Sequence, residues 1–153
     1  MILVDGMRGD DSMLKSFELA KILRSNGCKV TPQRLAVYET LAKTKEHPTA
    51  EAIYKKIKPI YPTMSFATVY KSVEILNKLK IIQVLNTGED SFRYDADTSE
   101  HSHIQCTVCG RVDDVVPLQV ESLQNEVARD TNYEVEGQQL YFYGICPHCQ
   151  KKH

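Results

Sequence analysis

The chain has 153 residues, room for one domain of ordinary size or two small ones. Hydrophobic residues make up 42% and charged residues 25%, which excludes extended disorder, and no apolar run approaches the ~20 residues that span a bilayer. The formal net charge of -1 conceals an asymmetry: residues 13–90 carry 13 Lys and Arg against 7 Asp and Glu, whereas residues 91–153 carry 5 against 10, so the first half either meets a polyanion or has an unevenly solvated surface.

Met1 to Val4 is apolar for only four residues, too short for the core of a secretory signal. Residues 1–12 read as a disordered extension or cloning remnant, with Met13 as the natural start. A helical pattern follows through Leu14, Phe17, Leu19, Ala20, Ile22 and Leu23 and ends near Asn26 and Gly27. A second helix opens at Thr31, which suits an N-cap, and Pro32, which suits the first helical position because its missing N–H costs nothing there. It runs to about Lys43 and buries Leu35, Val37, Tyr38 and Leu41. The chain breaks at His47-Pro48-Thr49, and Thr49 caps a short helix through Ile53, Tyr54 and Ile57 that ends before Pro59. Ser65 caps the next, with Phe66, Val69, Val73, Leu76 and Leu79 in one apolar stripe and Thr68, Lys71, Ser72 and Lys78 on the other face. Two strand-like runs, Ile81 to Leu85 and Ser91 to Tyr94, flank residues 86–90 in a hairpin signal.

Short helices followed by a hairpin is winged-helix order, in which the helix before the hairpin enters the DNA major groove. Ser65, Thr68, Tyr70 and Lys71 would then face DNA, with Tyr70 and Lys71 at base edges and the Tyr ring on a thymine methyl. Lys29 and Arg34 would touch the backbone or minor groove. An ordinary small α+β domain has the same pattern, with Tyr70 a core aromatic beside Val69 and Val73.

Asp95 to Glu100 is polar and acidic and marks a boundary, giving domains at 13–95 and 96–153. Beyond it, Ile104 to Val116 fits two strands. Pro117 to Arg129 fits a helix carrying Leu118, Val120, Leu123 and Val127. Tyr133 to Val135 and Gln139 to Ile145 fit two more strands. A domain this small benefits from a staple.

The cysteines supply one. Cys106 with Cys109 and Cys146 with Cys149 form two C-x-x-C pairs, a spacing at which four thiolates reach one tetrahedral ion and favour Zn²⁺. Gly110 is the small residue a tight knuckle needs. Redox dithiols or free thiols are the competing reading, and a reducing cytosol disfavours structural disulfides. A closed four-thiolate site serves folding and not catalysis. Cys28 is left over and reads as a small buried residue. A second cluster is His101-Ser102-His103: on an extended segment both imidazoles share a face. Asp95, Asp97, Asp113 and Asp114 lie near in sequence and His47 far off. Imidazole with carboxylate suits Fe²⁺, Mn²⁺ or Zn²⁺, and an exposed polar linker is the alternative.

Taken in order, Val30 to Arg34 (VTPQR), His47 to Glu51 (HPTAE), Ala67 to Tyr70 (ATVY), His101 to His103 with Cys106-x-x-Cys109-Gly110, and Tyr143 to Cys149 (YGICPHC) resemble the ferric uptake regulator family over roughly residues 14–150. The resemblance implies an α+β protein, with an N-terminal winged-helix DNA-binding domain and a C-terminal α/β dimerisation domain holding a four-cysteine zinc site. It implies a cytoplasmic homodimeric repressor, not an enzyme, that binds palindromic double-stranded DNA when its regulatory metal is bound. By position, Cys106, Cys109, Cys146 and Cys149 match the ligands of one structural Zn²⁺ per chain. His47, Asp95, His101, His103 and Asp114 match the regulatory ligands, for Fe²⁺ or Mn²⁺ with Zn²⁺ able to substitute. An ion on all five would restrain the angle between the halves and favour the DNA-competent one.

Asp95 and Asp114 match the peroxide-sensing branch of the family, where iron-uptake regulators typically carry Glu, so the chain looks more like a peroxide sensor, with peroxide as the implied signal and neither a small-molecule substrate nor a membrane as partner. Ser102 and Gln138 stand where members with a third metal site usually offer ligands, against a third metal here. The alternatives are an iron- or zinc-uptake repressor of the same fold and, from other classes, a non-haem iron oxygenase built on His101, His103 and a carboxylate, or a zinc-ribbon assembly module.

Overall fold

A computed structural model describes residues 13–86 and 92–152. The chain divides into two compact units, the first ending at Thr98 and the second beginning at Ser99. The extension expected at residues 1–12 and the turn expected at the hairpin tip, 87–90, lie outside the described residues.

The first unit has winged-helix order: α1 (Ser16–Ser25), α2 (Pro32–Ala42), α3 (Ala50–Ile57) and α4 (Phe66–Lys78), then β1 (Gln83–Asn86) antiparallel to β2 (Phe92–Asp95), with Val84 opposite Tyr94. The helices start where local chemistry tells them to. The side chains of Thr31, Thr49 and Ser65 accept hydrogen bonds from the N–H groups of Arg34, Ala52 and Thr68, each satisfying a donor the helix itself cannot. They stop by geometry. After α1, Gly27 takes φ +70, its N–H donates to the Arg24 carbonyl and that of Cys28 donates to the Leu23 carbonyl. Lys80 closes α4 in the same way at φ +56, a left-handed conformation that suits glycine better.

The core of this unit gathers Leu19, Leu23, Val37, Tyr38, Leu41, Ile53, Ile57, Val69, Val73, Leu76 and Ile82. Leu35, expected inside, is half-buried against it. Ser72, expected on the polar face of α4, is buried instead. Its hydroxyl donates to the Thr68 carbonyl at 2.8 Å, so the helix satisfies the group without help from solvent.

The second unit contains β3 (Ser102–Cys106), β4 (Val112–Val115), α5 (Glu121–Thr131), β5 (Tyr141–Gly144) and α6 (Pro147–Gln150). The sheet order is β4-β3-β5. β3 and β4 are antiparallel with His103 opposite Asp114, and β3 and β5 are parallel with Cys106 opposite Gly144. Two expectations need correction, and one element is new. The helix begins at Glu121, four residues after Pro117, and Leu118 and Val120 precede it. Tyr133 to Val135 forms no strand: three residues make few ladder bonds, and Tyr133 is 76% exposed with nothing buried in return. The short α6, started by Pro147, was not signalled by any apolar period.

α5 buries none of its residues, and Val116, Leu123, Val127, Tyr143 and Ile145 stand exposed in the same unit. Its buried cluster is Cys106, Cys146 and Cys149. Among the described residues no helix is long and apolar enough to cross a membrane.

Candidate metal centres and nucleic-acid interface

Two hairpin-like knuckles face each other in the second unit because β3 and β5 run in parallel. The Thr107 N–H donates to the Gly144 carbonyl at 2.8 Å, which sets the first C-x-x-C beside the second. The first knuckle closes through Gly110, at φ +73, whose N–H donates to the Cys106 carbonyl at 2.9 Å. All four sulfurs lie within 4.8 Å of one another. The Cys109 and Cys146 sulfurs are 3.8 Å apart, the edge of a tetrahedron whose centre lies ~2.3 Å from each sulfur and far beyond an S–S bond of ~2.0 Å. All the cysteines are free thiols. Backbone N–H donors from Cys109 and Cys146 bring the Cys106 thiol down to about 6, while burial among the other thiols pushes Cys149 up to about 12. Four such groups ionise together only around a cation, and the donor set fits Zn²⁺.

In the same unit, cross-strand pairing of His103 with Asp114 puts both on one face. His101 joins them from just before β3. The Nε2 atoms of His101 and His103 lie 3.2 Å and 3.5 Å from Asp114 Oδ1. His101 Nδ1 is 2.8 Å from the Ser99 carbonyl. A carbonyl can only accept, so Nδ1 is the donor there, and Nε2, turned toward Asp114, is the atom that would bind an ion. Asp113 faces the other way and pairs with Arg111 at 2.5 Å. It has no place in this group.

The first unit brings together His47 and Asp95. His47 Nδ1 lies 3.7 Å from Asp95 Oδ2, and both side chains are buried. Asp95 Oδ1 accepts the Asp97 N–H at 2.8 Å, so the Asp97 backbone helps to orient the Asp95 carboxylate. His47 adopts φ +47, in the left-handed region.

Of the residues expected at DNA, Tyr70 and Lys71 are exposed on α4, opposite the buried Val69 and Val73. Tyr70 is 49% exposed and is therefore no core aromatic. Its ring is held edge-on by Phe66, 5.0 Å away, which in turn meets Tyr54 of α3 at 5.5 Å. Lys58 donates to the Met64 carbonyl at 2.9 Å and fixes the turn between α3 and α4. Ser65 and Thr68 share a 2.9 Å hydroxyl contact at the start of α4. Lys29 is exposed, whereas Arg34 turns its guanidinium back onto the Lys29 carbonyl. Cys28 is half-buried against the core.

The sequence profile of the ferric uptake regulator family matches residues 25–143. The chain belongs to that family. Within it, the chain is 50% identical over 135 residues to the transcriptional regulator PerR of Clostridium acetobutylicum, covering 88% of this chain and 98% of that protein. It is 34% identical over 130 residues to the peroxide-responsive repressor PerR of Staphylococcus saprophyticus, covering 85% and 88%. Among solved structures, the ferric uptake regulator of Helicobacter pylori, described as having three functional metal-binding sites, superposes with a TM-score of 0.76 at 28% identity, covering 86% of this chain and 89% of that one. The order of elements in this family member is thus the family's own, and what remains particular to it is how its side chains are held. Two of those holds escaped the sequence. The Ser99 carbonyl leaves no trace in residue identity. Arg93, which donates to the His47 carbonyl, did leave one: it stands two residues before Asp95 on the same strand.

Proposed function

We propose that the chain is a homodimeric, metal-dependent transcription repressor of the PerR-like kind, which binds a palindromic operator and releases it in response to peroxide. The reading assigns one structural Zn²⁺ to Cys106, Cys109, Cys146 and Cys149. It assigns regulatory Fe²⁺ or Mn²⁺ to His47, Asp95, His101, His103 and Asp114, with Zn²⁺ able to substitute. The observation that carries it is the convergence of His101 Nε2, His103 Nε2 and Asp114 Oδ1 on one face of β3 and β4, with the His101 proton held away on Nδ1. The basic first unit, with Tyr70 and Lys71 exposed on α4, suits the major groove. The unburied apolar side chains around α5 suit a second copy of the chain.

Regulation then is a population shift. Moving a two-state protein from 1:99 to 99:1 requires ~5.5 kcal/mol of differential metal affinity for the DNA-competent state. Bound Fe²⁺ supplies reactivity toward peroxide, with a ligand imidazole as the group oxidised. The protein's own contribution is to hold His47 and His101 as oxidisable ligands; burial covers Cys106, Cys146 and Cys149, whereas Cys109, expected to be buried with them, is exposed and depends on zinc ligation alone for protection. The test is operator affinity with Fe²⁺ or Mn²⁺, before and after dilute peroxide, followed by mass spectrometry. Fe²⁺-loaded protein should release the operator and gain one oxygen on His47 or His101, while Mn²⁺-loaded protein stays bound. Asp114→Glu should keep metal-dependent binding and blunt the peroxide response. Cysteine oxidation ahead of any histidine change would replace this reading with an iron-uptake repressor.

A further inference from the structure

Three described non-glycine residues have positive φ: His47, Lys80 and Asn132. Asn132 caps α5 and Lys80 follows the cap of α4, where helix geometry asks for that conformation and local hydrogen bonds reward it. His47 has no such excuse. It lies between α2, which ends at Ala42, and α3, which begins at Ala50, and it directly precedes Pro48, whose ring biases the residue before it toward extended backbone. A conformation that the local sequence disfavours persists only when the surroundings impose it.

β2 supplies contacts that impose it. Arg93 Nη1 donates to the His47 carbonyl at 3.0 Å across 46 residues of sequence. The Tyr94 N–H donates to the Pro48 carbonyl at 3.1 Å, and Thr49 bridges to Arg93. Asp95, two residues beyond Arg93, then meets the His47 ring. One four-residue strand therefore carries an acidic group and also the clamp on the histidine it faces. Arg93 is the side chain that reaches the His47 backbone, and its guanidinium keeps its charge and has no acceptor, so it serves the carbonyl without competing for a metal.

We infer that Arg93 is a positioning residue for the regulatory metal, holding His47 in the left-handed backbone conformation that aims its imidazole at Asp95. The inference rests on the reading of His47 and Asp95 as metal ligands. Without the guanidinium, His47 relaxes to negative φ, the Cα–Cβ direction swings, and the imidazole leaves its partner.

The experiment is Mn²⁺ titration of the full-length, zinc-loaded protein, with free Mn²⁺ read by electron paramagnetic resonance. Arg93→Met keeps the aliphatic stem and loses the donors. Its Mn²⁺ affinity should fall ~10–100-fold, the usual effect of removing a group that orients a ligand, while zinc content and circular dichroism stay unchanged. Arg93→Lys, which still donates, should recover most of the loss. A folded Arg93→Met with wild-type Mn²⁺ affinity overturns the inference, and so does a Lys variant no better than Met. Should Arg93→Met not fold, hydrogen exchange on the wild type decides: Mn²⁺ should slow exchange at the Tyr94 amide, and unchanged exchange overturns the role of the strand. A wild type that takes up no Mn²⁺ overturns the ligand reading itself, and the inference falls with it. Uptake that Arg93→Met leaves untouched overturns the inference alone.

Discussion

The two units solve the problem of stability by different means. The first buries aliphatic side chains from all four of its helices around Leu23, Leu41, Ile53 and Leu76, as a self-sufficient domain does. The second buries three cysteines and turns much of its apolar surface outward. One is held by hydrophobic area, while the other gathers its cysteines and leaves α5 unburied. The difference teaches that apolar residues mark a core only where the chain supplies enough neighbours to enclose them: Leu123 and Val127 have the helical spacing of core residues and are exposed.

The comparison breaks most severely at the cysteines. Cys106→Ser should abolish zinc uptake and dimerisation together, because metal-binding free energy of order 10 kcal/mol is folding free energy in small zinc domains. Metal analysis and size exclusion check it, and a zinc-free, folded dimer would contradict it. The same variant should leave the first unit's helices largely intact by circular dichroism. Leu76→Ala, at a fully buried position of α4, should do the reverse. It should cost about 2–5 kcal/mol, lower the melting temperature and weaken DNA binding, with the zinc content unchanged. Tyr70→Ala sharpens the contrast between packing and reading within one helix. Its ring is half exposed, so stability should move little, while operator affinity falls by about 1–3 kcal/mol and non-specific affinity falls less. Equal losses on both DNAs would assign the residue to positioning. Lys80→Gly is the smallest step: relieving φ +56 should raise stability by up to ~1 kcal/mol, visible as a slightly higher melting temperature of the first unit alone.

What the sequence disclosed was local. Thr31, Thr49 and Ser65 cap their helices through hydrogen bonds three residues long, so the signal and its cause sit in the same short stretch. The C-x-x-C pairs are equally local, and one ion is the simplest thing that two of them share. His101 and His103 could be read as sharing a face because alternation is a property of any strand. What failed depended on partners elsewhere in the chain. The lack of a strand at Tyr133 to Val135 reflects a pairing the fold does not make, with Tyr133 left exposed, and the burial of Ser72 follows from what packs over α4. Arg93 belongs with these: only the fold brings a strand residue to a loop carbonyl far back in sequence.

The spacing of the cysteines has a consequence for how the molecule is made. Every residue of the first core has been synthesised by Ala96, and that unit needs nothing that comes later. The cysteine cluster of the second unit is completed by Cys149, so it stays open until nearly all of that unit's sheet and helices exist. During translation the first unit is therefore complete well before the four cysteines of the second are all present. A ribosome that stops short of Cys146 releases a chain with only two of its four thiolate ligands.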